Sequence, residues 1–116
     1  MDELDNLRDL DIVLEALANK HRREIVYCLS LQPCSISELA SRRCLSLPAI
    51  HKHIKVLENA GMIMRKKIGR SNFLALNRES LHCLQDWLKQ CHAYWGSNEE
   101  SLENEAQYFV RKKTNR

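Results

Sequence analysis

Two helix-start signals stand eleven residues apart, at Ser35 and Ser46, and they constrain the fold more than any other feature of the sequence. Ser35-Ile36-Ser37-Glu38 has the Ser-x-x-Glu spacing of a capping box, in which hydroxyl and carboxylate each satisfy a backbone amide left over by the first helical turn. It opens a helix through Leu39 and Ala40 to about Arg43. Cys44-Leu45-Ser46-Leu47-Pro48 then supplies a loop, a capping serine and a proline in the first turn, where its missing N–H costs nothing. This second helix runs to Ala60 and stops at Gly61, the residue type that most readily takes the left-handed cap conformation. At about 100° per residue Ile50, His53, Ile54 and Leu57 fall on one side, whereas Pro48, Lys52, Lys55 and Asn59 point to the other. The result is two short helices, a tight turn between them, and a basic outward face on the second.

After Gly61 the pattern becomes extended. Met62-Ile63-Met64 reads as a strand, Lys66 to Ser71 as a Gly-containing turn and Phe73-Leu74-Ala75-Leu76 as the returning strand of a β-hairpin. Upstream, Leu7, Leu10, Val13, Leu14 and Leu17 form an amphipathic helical stripe, and Asn19 caps a second helix that buries Ile25, Val26 and Leu29 and ends near Leu31. Downstream, Asn77 or Ser80 caps a long helix in which Leu81, Leu84, Leu88, Cys91 and Trp95 share one side, flanked by Trp87 and Tyr94. Gly96-Ser97-Asn98 interrupts it, and Leu102, Ala106, Phe109 and Val110 imply a final helix before a frayed basic end. The expected class is mainly α with a small β-hairpin: a winged helix-turn-helix of five helices over residues 1–95 and a C-terminal helical extension over 96–116.

Composition agrees. A chain of 116 residues has room for one domain, and 3 Gly with 2 Pro offer little material for the many turns of a sandwich or barrel. No basic segment followed by an apolar stretch opens the chain, and no run approaches the ~18 apolar residues of a membrane helix, so a cytoplasmic protein without membrane contact is expected. Five cysteines at irregular spacings, with no CxxC pair, suit reduced thiols better than a disulfide framework.

The net charge of +3 becomes informative once it is located along the chain. Arg42, Arg43, Lys52, Lys55, Arg65, Lys66, Lys67 and Arg70 lie between residues 42 and 72 with Glu58 as the one acid, a local excess of +7 that leaves −4 on the remainder. Cations concentrated on a helix and a hairpin that would touch a duplex are the electrostatic footprint of nucleic-acid binding.

Leu17-Ala18-Asn19-Lys20-His21-Arg22-Arg23-Glu24-Ile25-Val26, Ser37-Glu38-Leu39-Ala40 and the run from Leu45 through His51-Lys52-His53-Ile54 to Ala60-Gly61-Met62-Ile63 together resemble the ArsR-type winged-helix repressors over about residues 10–95. The resemblance implies a homodimer whose first and fifth helices form the interface and whose recognition helices enter successive major grooves of a double-stranded DNA operator. Carried over by position, Ser46, Pro48, Ala49, His51, Lys52 and Lys55 would face the DNA, with Lys66, Lys67, Arg70 and Ser71 in the wing. His51 departs from the small hydroxyl residue usual there. Leu7, Leu10, Leu14, Leu84, Trp87, Leu88, Cys91 and Trp95 would line the dimer interface, an expectation the two-tryptophan stripe supports independently, being more apolar than a monomer of this size easily covers.

Many relatives release DNA on binding a metal, through a CxC pair in the third helix or an Asp-x-His with distal ligands in the fifth. Neither pattern is present, and no metal or other cofactor is expected. His82, Asp86 and His92 remain as candidate ligands, but His82 and Asp86 one turn apart are two ligands and do not make a site. Cys28 and Cys91 are candidates for a thiol switch, with Cys28 one position off the usual register, about 100° around the helix. The aromatic stretch resembles a branch of the family without a recognised ligand site. The reading is therefore a homodimeric, sequence-specific transcriptional repressor without a known effector. A thiol- or metal-responsive repressor and a winged-helix protein-interaction module are the alternatives. No nucleophile, base and orienting group stand in a workable arrangement, so no enzyme is expected.

Overall fold

The computed structural model describes residues 3–93 together with Gln107 and Val110. Its elements are α1 (Glu3–Leu17), α2 (Lys20–Leu31), β1 (Cys34–Ser35), α3 (Ile36–Arg43), α4 (Leu47–Asn59), β2 (Ile63–Ile68), β3 (Ser71–Leu76), a 3₁₀ turn (Arg78–Leu81) and α5 (His82–Ala93). The chain divides into two units, Met1–Leu84 and Gln85–Arg116, so the division falls inside α5. The expected boundary at 95/96, and all of the expected tail helix except Gln107 and Val110, which are helical, lie outside the described residues.

The caps act where the sequence puts them. Asn19 Oδ1 accepts from the amides of His21 (2.9 Å) and Arg22 (3.3 Å), Ser35 Oγ from Glu38 (3.2 Å) and Ser46 Oγ from Ala49 (3.4 Å). Each satisfies an amide that the first turn leaves free. The turn between α3 and α4 closes on Cys44, at φ 54° and ψ 40°, and the Leu45 amide donates back to the Ala40 carbonyl at 3.0 Å. A left-handed residue with this bond is the ordinary helix terminator, but a side chain there carries a steric cost that glycine avoids. At the other end of α4, Gly61 takes that role at φ 73°, and the Met62 amide donates to the Leu57 carbonyl at 3.0 Å.

The core is gathered from α1 to α4 and the three strands. Val13 and Ala16 of α1, Ile25 and Leu29 of α2, Leu39 of α3, Ile50, Ile54 and Leu57 of α4, then Met62, Ile63, Leu74 and Leu76 pack into one cluster. Among the described residues no polar or charged side chain is buried. Three of these residues lie on one stripe of α4, so that helix is fixed from behind by apolar contact and its opposite face is left to solvent.

Three details differ from the sequence expectation. The sheet has three strands in the order β1-β3-β2, all antiparallel, because Cys34 and Ser35 pair with Leu74 and Phe73. Two residues carry no periodicity, so β1 is invisible in the sequence. The hairpin is also longer than expected: Lys66 pairs with Phe73, Lys67 with Asn72 and Ile68 with Ser71, which leaves Gly69 and Arg70 as the turn. Beyond Ile63 every residue of β2 is exposed, so the ladder is held by backbone bonds and shows no apolar alternation to read. Gly69, at φ 63°, sits where a two-residue hairpin turn favours glycine. Finally, neither Asn77 nor Ser80 caps α5 as expected. Asn77 Nδ2 donates to the Gly61 carbonyl at 2.9 Å, tying the end of β3 to the end of α4, and Ser80 Oγ donates to the Asn77 carbonyl at 2.6 Å.

Candidate nucleic-acid interface

With Ile50, Ile54 and Leu57 buried, the far side of α4 exposes Ser46, Pro48, His51, Lys52 and Lys55, and Ala49 is half-buried beside them. The hairpin that follows exposes Lys66, Lys67, Arg70 and Ser71. All ten candidate contacts therefore belong to two consecutive elements, and nine of them are exposed.

The basic excess is smaller than the sequence sum, because two of the eight cations are already engaged. Arg43 Nη1 pairs with Glu24 of α2, and Nη2 bonds His21 Nδ1 at 3.3 Å. Arg43 has no acceptor, so the imidazole takes this bond through its lone pair. His21 in turn stacks on His53 of α4, ring centroids 5.5 Å apart and tilted by 35°. A polar chain Glu24–Arg43–His21–His53 thus links α2, α3 and α4 around the turn. His53, expected on the apolar side, is half-buried in this chain, and burial followed by Arg22, His21 and Lys52 lowers its pKa.

The second engaged cation is Arg65 of β2, which meets Glu58 of α4 side-on: Nε lies 3.0 Å from both carboxylate oxygens and Nη2 lies 2.9 Å from Oε1. Arg42, Lys52, Lys55, Lys66, Lys67 and Arg70 form no ion pair among the described residues. Neither pairing was legible in the sequence. Glu24 and Arg43 belong to different helices, and Glu58 and Arg65 lie on either side of the break at Gly61.

Other candidates divide by burial. Leu10 is buried within the chain, Leu84 is half-buried and Leu14 is 41% exposed. On the second unit's part of α5, Trp87 (44%) and Leu88 (52%) are exposed, as is Cys91. The side chain of Leu7 and the whole of Trp95 lie outside the described residues. Cys28 is half-buried against the core, while Cys34 is fully buried and its pKa is pushed up by that burial. His82, Asp86 and His92 are exposed, and among the described residues no group of three His, Cys, Asp or Glu side chains is placed to hold a metal ion. No helix among them is long and apolar enough to cross a membrane.

The comparisons with known proteins agree with this geometry. The family model described as "Bacterial regulatory protein, arsR family" matches residues 19–64, from the α2 cap into β2. The HTH-type transcriptional regulator Rv2034 of Mycobacterium tuberculosis is 33% identical over 78 residues, covering 67% of this chain and 73% of that protein. The uncharacterized HTH-type transcriptional regulator MJ0229 of Methanocaldococcus jannaschii is 43% identical over 49 residues, 42% of this chain, and the match spans about half of that relative, 52%. Among solved structures, the ArsR family transcriptional regulator RHA00566 superposes with a TM-score of 0.68 at 34% identity, covering 78% of this chain and 94% of that one. The chain therefore belongs to the ArsR family and is a winged helix-turn-helix transcriptional regulator, not an enzyme.

Proposed function

We propose that the chain is one half of a homodimeric repressor that places helix 46–60 in the major groove of an operator, with hairpin 62–76 alongside as the wing. The observation that carries this reading is the division of α4 into two faces. One is locked into the core by Ile50, Ile54 and Leu57, and the other presents Lys52 and Lys55, while the hairpin that follows exposes Lys66, Lys67 and Arg70, all without a carboxylate partner among the described residues. Lys and Arg in this position neutralise phosphates and hold the register, whereas a side chain at the start of the helix reads base edges. His51 is the candidate for the second role, with Ser46, Pro48, Ala49 and Ser71 lining the approach. Repression follows by occlusion of the promoter, in the cytoplasm.

The exposed Trp87 and Leu88 support the dimer, since a two-fold contact covers such apolar groups with their own copies. Binding of the purified chain to duplexes from genomic promoter fragments, with a promoter–reporter assay beside it, tests the proposal. Salt-sensitive binding with lowered reporter output is expected. Binding with raised output would replace repression by activation, and no binding to any fragment would favour a protein-interaction module.

A further inference from the structure

The geometry assigns to the Glu58–Arg65 pair the task of fixing the wing relative to the recognition helix, so that both are positioning residues for operator recognition; this rests on the DNA-binding reading above. Glu58 is the one acid in a segment of eight cations, and a carboxylate beside a phosphate-facing surface weakens attraction unless it does something else. What it does is visible. Its two oxygens take the edge of the Arg65 guanidinium in three contacts of 2.9–3.0 Å, a fork that sets orientation as well as distance.

The location of the pair matters. Glu58 lies in the last turn of α4, and Arg65 sits two residues beyond Ile63, the last buried residue of β2. From there outward the strand has no core contact of its own to direct it. By the two-residue period Arg65 shares a side with Ile63 and Lys67, while Lys66 is on the other side with Met64 and Ile68. The clip therefore stands between the anchored and free parts of the wing, and the placement of Lys67, and of Arg70 at the tip, is set from it. Arg42, Lys52 and Lys55 need no such clip, because they ride on helices packed into the core.

Charge and position make opposite predictions for Glu58→Gln. Removing an acid from a DNA-facing surface should tighten binding to every duplex alike. Loss of the clip should instead lower affinity for the preferred duplex by about tenfold, comparable to one mismatched base pair, while leaving random-sequence binding unchanged or stronger. The test measures Kd for a selected duplex and a random one, each across salt, with wild type, Glu58→Gln, Arg65→Lys and the charge-reversed double variant Glu58→Arg/Arg65→Glu. A melting curve for each establishes folding, which a partly exposed ion pair affects little. A reduced preference in both single variants, an unchanged salt dependence in Arg65→Lys and recovery in the double variant are expected. Equal tightening on both duplexes by Glu58→Gln, or a wild-type preference in Arg65→Lys, would overturn the assignment. A wild-type chain that binds neither duplex overturns the DNA reading itself, and one that binds both alike overturns operator recognition, failures seen before any variant is compared.

Discussion

The imidazole of His53 on α4 lies with its centroid 5.5 Å from that of His21 on α2, and His21 is held in turn by Arg43. The histidine pair ties α4 to α2 and, through Arg43, to α3 behind it.

Stability should depend on pH through His53. Burial first, then Arg22, His21 and Lys52, hold its pKa below the ordinary value of about 6.5, so the unfolded chain binds this proton more readily than the folded one. The contribution is complete above about pH 6.5 and is lost as pH falls from there through the lower folded value. Urea midpoints at pH 7.5 and 5.5 check this: the fall on acidification should be smaller in His53→Gln. Parallel behaviour of the two proteins would remove His53 from the account.

Cys44 closes the helix-turn-helix at φ 54° with its side chain exposed. Cys44→Gly should raise stability by about 0.5–1 kcal/mol, because relief of the left-handed strain outweighs the added freedom of the unfolded chain. Chemical denaturation measures it, and a loss of stability would contradict the strain argument.

Ile54 is fully buried on the face of α4 that packs into the core. Ile54→Ala should cost about 2–5 kcal/mol through lost burial and a residual cavity, and DNA binding should fall with it. Full affinity at a temperature where the variant is half unfolded would show that α4 does not need this anchor.

Trp87→Ala should raise the dimer dissociation constant by roughly tenfold or more, since buried interface tryptophans are frequent hot spots. Sedimentation across concentration reads the change directly. An unaltered profile would place the interface elsewhere.

Much of this structure is written in local signals. Asn19, Ser35, Ser46 and Gly61 each mark a helix end through a bond made within a few residues, and Ile50, Ile54 and Leu57 carry the period that orients α4. The exposed lysines follow from that orientation. What stayed hidden depends on partners distant in sequence or on backbone alone. Arg43 and Arg65 read as DNA-facing charge, yet they are committed to Glu24 and Glu58. The outer half of β2 read as a loop because a strand exposed on both faces has no alternation. Leu10 fits an interface stripe by spacing, but spacing cannot say whether a stripe faces the chain's own core or a partner.

The most direct test is the affinity of the wild-type chain for its preferred duplex as a function of salt, repeated with Lys55→Ala. Several phosphate contacts per dimer require log K to fall with log salt at a slope of at least about −3, and loss of Lys55 should reduce that slope by about one for each phosphate it neutralises. Binding insensitive to salt, or a slope unchanged in the variant, would contradict the assignment of this face to the DNA.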